Sequence, residues 1–322
     1  MKRILSLLLA AVLLLAGCTT DGGNTLRFGT AGTGGLYAQA SAAIQRLAEA
    51  DGAVTIEEKT TAGSAANIRL LAGEYLDAAI VQSDIARDAY EGRNDFVADG
   101  PEHRLRAVAA LYPEACHIVV RADSDIQSMD DLLGKTVSIG ETESGTELNA
   151  KQILPACGLT GSMVKQVNLD YTTAAQQLAS GQIDALFYTI GLGATVVQEL
   201  AKQCDIRLLD VSESALDKLE AAYGYSACVI PAGTYPGQEN DVQTLGVKAL
   251  VVVNSSVPHH TVEALTALLF DFARDLQLAL PTDVDLTPES AVEGVDIPFH
   301  TGAAAWYASQ GITVTSAGSE EG

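Results

Sequence analysis

From residue 26 onward, short apolar runs rich in β-branched residues alternate with longer stretches of helical period. Runs at 26–29, 54–57, 78–81, 106–110, 118–121 and 136–139 predict strands. Between and after them, 36–50, 65–71, 147–154, 174–179 and 261–280 place apolar residues on one helical face. Such alternation predicts an α/β molecule in which helices cover a sheet.

The pattern repeats itself at long range. Leu71-Ala72-Gly73-Glu74-Tyr75-Leu76-Asp77-Ala78-Ala79-Ile80 and Leu178-Ala179-Ser180-Gly181-Gln182-Ile183-Asp184-Ala185-Leu186-Phe187 nearly superimpose. Both read as a helix end, a glycine turn and a buried strand, and Thr172 or Thr173 is placed to cap the second helix. Two similar halves follow. No low-complexity linker separates them, so the expected connection is a pair of extended strands near 115–118 and 227–230. That divides the chain into one lobe of 25–115 plus 231–322 and a second lobe of 116–230. If the crossings run side by side, Cys116 and Cys228 sit at matching heights and a disulfide between them staples the hinge. With Cys157 and Cys204 also present, three pairings are open, as is a set of buried free thiols.

The N-terminus changes the picture of where the chain works. Met1-Lys2-Arg3 precedes an apolar run over 4–17 broken only by Ser6, the order of a secretory signal and too short to span a bilayer. Leu15-Ala16-Gly17-Cys18 resembles a lipobox, with residues 1–17 removed, lipid on Cys18 and 18–24 a flexible tether. The expected location is the outer face of the cytoplasmic membrane, touched only through that lipid. Loss of Lys2 and Arg3 takes the formal charge from −22 to −24, which argues against nucleic acid as a partner.

Three polar turns join predicted strands to predicted helices: Gly29 to Tyr37, Thr60 to Asn67 and Gly140 to Glu147. Each leaves unpaired amides at a helix N-terminus, where glycine permits close approach and Ser or Thr adds hydroxyls. Turns of this kind hold a carboxylate or a zwitterion without Lys or Arg. The first lacks the Lys-Ser/Thr pair of a phosphate loop, and Tyr37 stands where a dinucleotide fingerprint has its third glycine. His103, His117, His259, His260 and His300 show no ligand spacing, so no metal is expected. No Gly-x-Ser-x-Gly elbow occurs; neither catalysis nor a cofactor is expected.

In order along the chain, Gly32-Thr33-Gly34-Gly35-Leu36-Tyr37, Gly63-Ser64 with Asn67-Ile68-Arg69-Leu70-Leu71, Ala79-Ile80-Val81-Gln82-Ser83-Asp84, Leu111-Tyr112-Pro113-Glu114, Ser144-Gly145-Thr146-Glu147 and Pro231-Ala232-Gly233-Thr234-Tyr235 resemble the TAXI (immunogenic-protein) receptors of TRAP transporters. The resemblance covers about 26–311. It implies a two-lobed periplasmic-binding-protein fold of the second type, each lobe a mixed sheet flanked by helices, joined by a two-strand hinge. It further implies capture of a small carboxylate-bearing solute, a glutamate- or glutamine-like amino acid or a related organic acid, in the cleft between the lobes, and delivery to an ion-driven TRAP-type permease.

Carried over, the pocket is lined by Thr33, Gly34, Tyr37, Ser64, Asn67, Gln82 and Ser83 from one lobe and Ser144, Gly145, Thr146, Tyr188 and Thr189 from the other, with Tyr112 and Tyr235 behind them. Glu141, Glu143 and the turn Gly191-Leu192-Gly193-Ala194 depart from the family pattern. Two carboxylates at a helix N-terminus, unless both point to solvent, oppose a second anionic group on the ligand and favour a zwitterionic or neutral ligand such as an amino acid. A ligand-sensing input module of the same fold is the alternative; it needs a signalling partner.

Overall fold

The computed structural model describes residues 24–282 and 285–316. The signal segment 1–17, the lipidation candidate Cys18 and nearly all of the tether lie outside the described residues.

One ten-stranded mixed sheet runs through both halves in the order β2-β1-β3-β10-β4-β7-β5-β6, with β8 on β4 and β9 on β10. The strands are β1 Thr25–Gly29, β2 Thr55–Lys59, β3 Ala78–Gln82, β4 Leu105–Arg121, β5 Thr136–Ser138, β6 Lys165–Val167, β7 Ala185–Ile190, β8 Ile206–Leu208, β9 Ser226–Ile230 and β10 Val242–Asn254. The helices are α1 Leu36–Asp51, α2 Ser64–Ala72, α3 Ser83–Glu91, α4 Gly145–Ala156, α5 Tyr171–Ala179, α6 Thr195–Gln203, α7 Glu213–Tyr223, α8 His259–Asp271, α9 Ala273–Ala279 and α10 Thr301–Ser309.

The order β2-β1-β3 beside a long strand in one half is matched by β6-β5-β7 beside a long strand in the other. The sequence repeat falls on corresponding places, the α2–β3 and α5–β7 connections. Its aspartates do the same work twice. The Asp77 carboxylate accepts the Arg27 amide at 2.8 Å, and that of Asp184 accepts the Thr136 amide at 2.7 Å. Each ties the connection to the first strand of its own half and satisfies a strand-end donor that otherwise lacks a partner.

Two predicted elements differ in form. The strands expected at 106–110 and 118–121 are one continuous β4, because Tyr112, Pro113, Glu114 and Ala115 remain extended against β10. The helix expected over 261–280 is broken at Phe272, whose backbone (φ −113°, ψ 23°) leaves the helical region between α8 and α9.

The chain leaves the first half along β4 and returns along β10, not along the expected 227–230 segment. β9 pairs with β10 over 242–246, and only from Ala249 does β10 pair with β3. Residues beyond 230 still pack on the second half, where the Tyr235 hydroxyl meets His117 Nε2 at 2.8 Å. The hinge disulfide therefore does not form. Cys116 lies in β4 and Cys228 in β9, with β10 between them, and all four described cysteines are free. Two strand spacings, about 9–10 Å, exceed the roughly 7 Å a disulfide spans. Burial pushes the Cys116 thiol up to about 12.

Candidate functional site

In both halves the helices that follow the strands point their N-termini into the gap between the halves, beyond the carboxyl ends of the strands. Five of them converge on one cavity of about 40 Å³, whose lining includes the N-cap residues Gly35 of α1, Gly63 of α2, Gln82 of α3, Ser144 of α4 and Asp170 of α5. Gly35, Gly63 and Gln82 supply no side-chain cap, so the first-turn amides of α1, α2 and α3 lack that intramolecular acceptor. Ser144 accepts the Glu147 amide and Asp170 that of Thr173. Each N-terminus carries about half a positive charge, worth on the order of 0.3–2 kcal/mol to a facing anion. No Lys or Arg lines the cavity.

Close packing of small residues makes this convergence possible. A Cβ on Gly145 would stand 2.1 Å from Gln82 Oε1, and one on Gly63 3.4 Å from Ser144. Gly63, at φ 125°, also turns the chain into α2 through a region that side chains disfavour. The halves are thus shut on each other, with Gln82 of the first against α4 of the second.

The side chains are prearranged by a polar network. Tyr37 donates to Glu114 Oε2 at 2.9 Å, and Ser64 Oγ accepts the Gln82 amide at 3.1 Å. Thr146 Oγ1 accepts the Thr189 amide at 3.1 Å and lies 3.0 Å from the Tyr171 hydroxyl, which donates to the Thr189 carbonyl at 3.2 Å. Among the described residues Gln82 Oε1 is buried with no hydrogen-bond partner. A buried, unpaired acceptor is costly, and here it faces the space a ligand would fill.

An acidic wall answers the helix N-termini. Burial pushes Glu114 up to about 8, reinforced by Asp84 and opposed by the Tyr37 hydrogen bond. Glu141 is raised by burial and by repulsion from Asp170. For Asp170 burial acts upward, but hydrogen bonds from Thr173 outweigh it and hold the carboxyl below its ordinary value.

Of the residues expected in the pocket, Tyr37, Ser64, Gln82, Ser144, Gly145, Thr146 and Thr189 line this cavity. Thr33 and Gly34 line a separate groove with Thr172, Thr195 and Glu199. Asn67 is fully buried and bonds the carbonyls of Thr30 and Ile80, each at 2.8 Å, which fixes the two loops rather than meeting a ligand. Ser83 Oγ accepts the Lys248 amide on the other side of the hinge. Tyr188 bonds the Tyr171 carbonyl and packs edge-on against its ring. Tyr112 is buried beside the cavity, and the Tyr235 hydroxyl accepts the Gly193 amide at 3.2 Å.

Glu141 lines the cavity, whereas Glu143 turns away to Arg69 at 3.3 Å. Glu114, Tyr171 and Asp170, which lie outside the three polar turns, also line it, together with Gly35 and Gly63 from the first two turns. Asp170 precedes Tyr171 and two threonines, a legible helix start. Glu114 closes the Leu111-Tyr112-Pro113-Glu114 motif, but it reaches the cavity only because β4 crosses between the halves.

Residues 28–311 match the NMT1-like family. A Bordetella bronchiseptica RB50 structure superposes with a TM-score of 0.55 at 16% identity, over 91% of this chain and 83% of that one. An ancestral arginine-binding protein bound to arginine gives 0.50 at 17% identity, over 80% and 96%. A putative L-cystine ABC transporter protein from Listeria monocytogenes gives 0.50 at 14% identity, over 80% and 94%. At these identities the likeness establishes the fold, a two-lobed α/β periplasmic-binding-protein architecture of the second type.

Proposed function

Because the chain belongs to the NMT1-like family, we propose that it is an extracytoplasmic solute receptor that closes over a small carboxylate-bearing solute and passes it to a membrane permease. The observation that carries this reading is the convergence of five helix N-termini on one closed interlobe cavity without a Lys or Arg in its lining. Fixed backbone dipoles take a carboxylate there, and the hydroxyl network holds its orientation.

The acidic wall sets the rest of the ligand. A carboxylate alone leaves Gln82 Oε1 and Glu141 facing it without a donor, whereas an ammonium group answers both. The solute is therefore a zwitterion of the glutamate or glutamine kind, its carboxylate on the helix N-termini and its ammonium toward Glu141 and Gln82. The resemblance to TAXI receptors supports a TRAP-type, ion-driven permease as partner. The Leu15-Ala16-Gly17-Cys18 motif supports export and a lipid anchor at Cys18.

Thermal unfolding of the mature chain, screened against amino acids and small carboxylates, tests this reading. A solute that binds only the native state at about a hundred times its Kd adds about 2.7 kcal/mol. A rise confined to zwitterions supports the proposal. A rise only with dicarboxylates that carry no ammonium group refutes the zwitterion, and no rise across both classes, after removal of co-purified ligand, refutes the receptor.

A further inference from the structure

Behind the solute cavity, on the other side of the hinge strands, lies a second cavity of about 290 Å³ walled by both halves. Glu114 borders both cavities. One oxygen accepts the Tyr37 hydroxyl; the other takes no hydrogen bond among the described residues. Asp84, at the start of α3, also borders the rear cavity. Its Oδ2 accepts Asn149 Nδ2 from α4 at 2.8 Å, a buried bond that joins the two halves, and its Oδ1 has no partner. Asn149 in turn donates to Tyr225 at 2.7 Å and accepts from Thr189 at 2.8 Å.

We propose that closing the cleft takes up a proton at Glu114, with Asp84 as a coupled second carboxylate, so that solute capture and proton uptake are one equilibrium. The proposal rests on the receptor reading, since it concerns the closed form of the same cleft.

No Lys or Arg forms an ion pair with either carboxylate among the described residues. Facing Glu114 are Tyr37 from α1, Tyr112 and Cys116 on its own strand, Asp84 from α3, Tyr171 from α5 and Glu141 from the loop after β5. Facing Asp84 are Asp88 and Arg87 on its own helix, Tyr225 just before β9 and Glu114. Two cations border the rear cavity. Arg87 is engaged by Asp296 and the Tyr223 carbonyl, and Lys248 Nζ by the carbonyls of Ser290 and Glu293. Neither reaches Glu114 or Asp84 within ion-pair distance among the described residues.

Two acidic groups shut together without a counter-ion favour the neutral form. Burial holds Glu114 near 8 and Asp84 near 6 in the closed form. Opening the halves rehydrates both and returns them toward ordinary carboxylate values. The proton comes from solvent through the rear cavity onto the free oxygen of Glu114, no covalent bond breaks, and opening releases it. The sign follows: below its ordinary value Glu114 is neutral in both forms, above about 8 it is ionised in both, and between them closure consumes a proton.

The test uses the mature chain with Cys18→Ser. Small-angle scattering of ligand-free protein should show the radius of gyration rising between roughly pH 5 and roughly pH 9, and Glu114→Gln should flatten that rise. Asp84→Asn should reduce it in part. Titration with L-glutamate in buffers of different ionisation heat should show up to about one proton taken up near pH 7, with affinity falling up to about tenfold per pH unit across the window. A radius independent of pH in the native chain, or binding without buffer-dependent heat, overturns the coupling and leaves the receptor reading intact. Failure of L-glutamate to bind, with the pH-dependent radius present, counts against the solute assignment instead.

Discussion

Gly145 shows how much a single residue decides. Gln82 fits against α4 only because position 145 has no side chain, and a methyl group there would meet Gln82 Oε1 at 2.1 Å. Gly145→Ala should therefore lower solute affinity by at least about tenfold, roughly 1.4 kcal/mol. Its helical backbone tolerates alanine, so the melting temperature of the ligand-free protein should change little. Glu141→Gln separates ligand classes: zwitterion affinity should fall while dicarboxylate affinity rises, read by calorimetry on both. Equal effects on the two would detach Glu141 from the ammonium. Tyr37→Phe removes a buried donor from Glu114 and should cost about 1–2 kcal/mol in the denaturant midpoint.

Among secondary-structure elements, the caps at the cavity divide into two kinds. Ser144 and Asp170 satisfy their own helices, Gly35 and Gln82 supply no side-chain cap, and in α2, where Gly63 supplies none, the Ala66 amide donates to the Glu143 carbonyl of the opposite half at 3.1 Å. Asp170→Ala should cost about 1 kcal/mol of stability through α5, visible as a lower melting temperature with or without solute. The turn after β7 acts differently. A Cβ on Gly191 would stand 2.6 Å from Leu36 Cδ1 and 3.0 Å from Thr282 Oγ1, residues of the opposite half. Gly191→Ala should therefore hold the halves apart, enlarging the radius of gyration and weakening solute binding with little loss of secondary structure by circular dichroism.

Most strand and helix positions were legible because their apolar period is local. The α2–β3 and α5–β7 repeat even revealed the two halves, since Asp77 and Asp184 are fixed by the same backbone task. Long-range pairing was not legible. Nothing around Leu111 to Glu114 distinguishes a hinge turn from one continuous strand, so β4 was divided in two. A whole strand, β10, separates Cys116 from Cys228, and no local pattern in the sequence places it between β4 and β9.

For the molecule as a whole, the site was legible where it sits on helix starts and hidden where it depends on the halves meeting. Tyr37, Ser64, Ser144 and Thr146 are in the first turns of helices or cap them, and the glycine- and hydroxyl-rich turns announce such positions. Asn67 and Tyr188 share those neighbourhoods, but their side chains are spent on the carbonyls of Thr30, Ile80 and Tyr171. Glu114 becomes a cavity residue only through the crossing of β4.

The same geometry governs how the fold responds to pH. Glu114 and Asp84, raised by burial, contribute stability that is fully present below their ordinary values and lost as pH rises through about 6 for Asp84 and about 8 for Glu114. The acid side of neutrality is thus where these two groups favour the closed fold. The melting temperature of Glu114→Gln relative to the native chain should accordingly improve as pH rises from roughly 5 to roughly 9.

Titration of L-glutamine into the native chain and into Gly145→Ala tests the central claim most directly, because the two proteins differ only where the helix N-termini meet across the cleft. The account predicts saturable binding of one molecule to the native chain and a loss of at least about tenfold in the variant, at unchanged ligand-free melting temperature. Equal affinity in both proteins would contradict it and place the solute somewhere other than the cavity between Gln82 and α4.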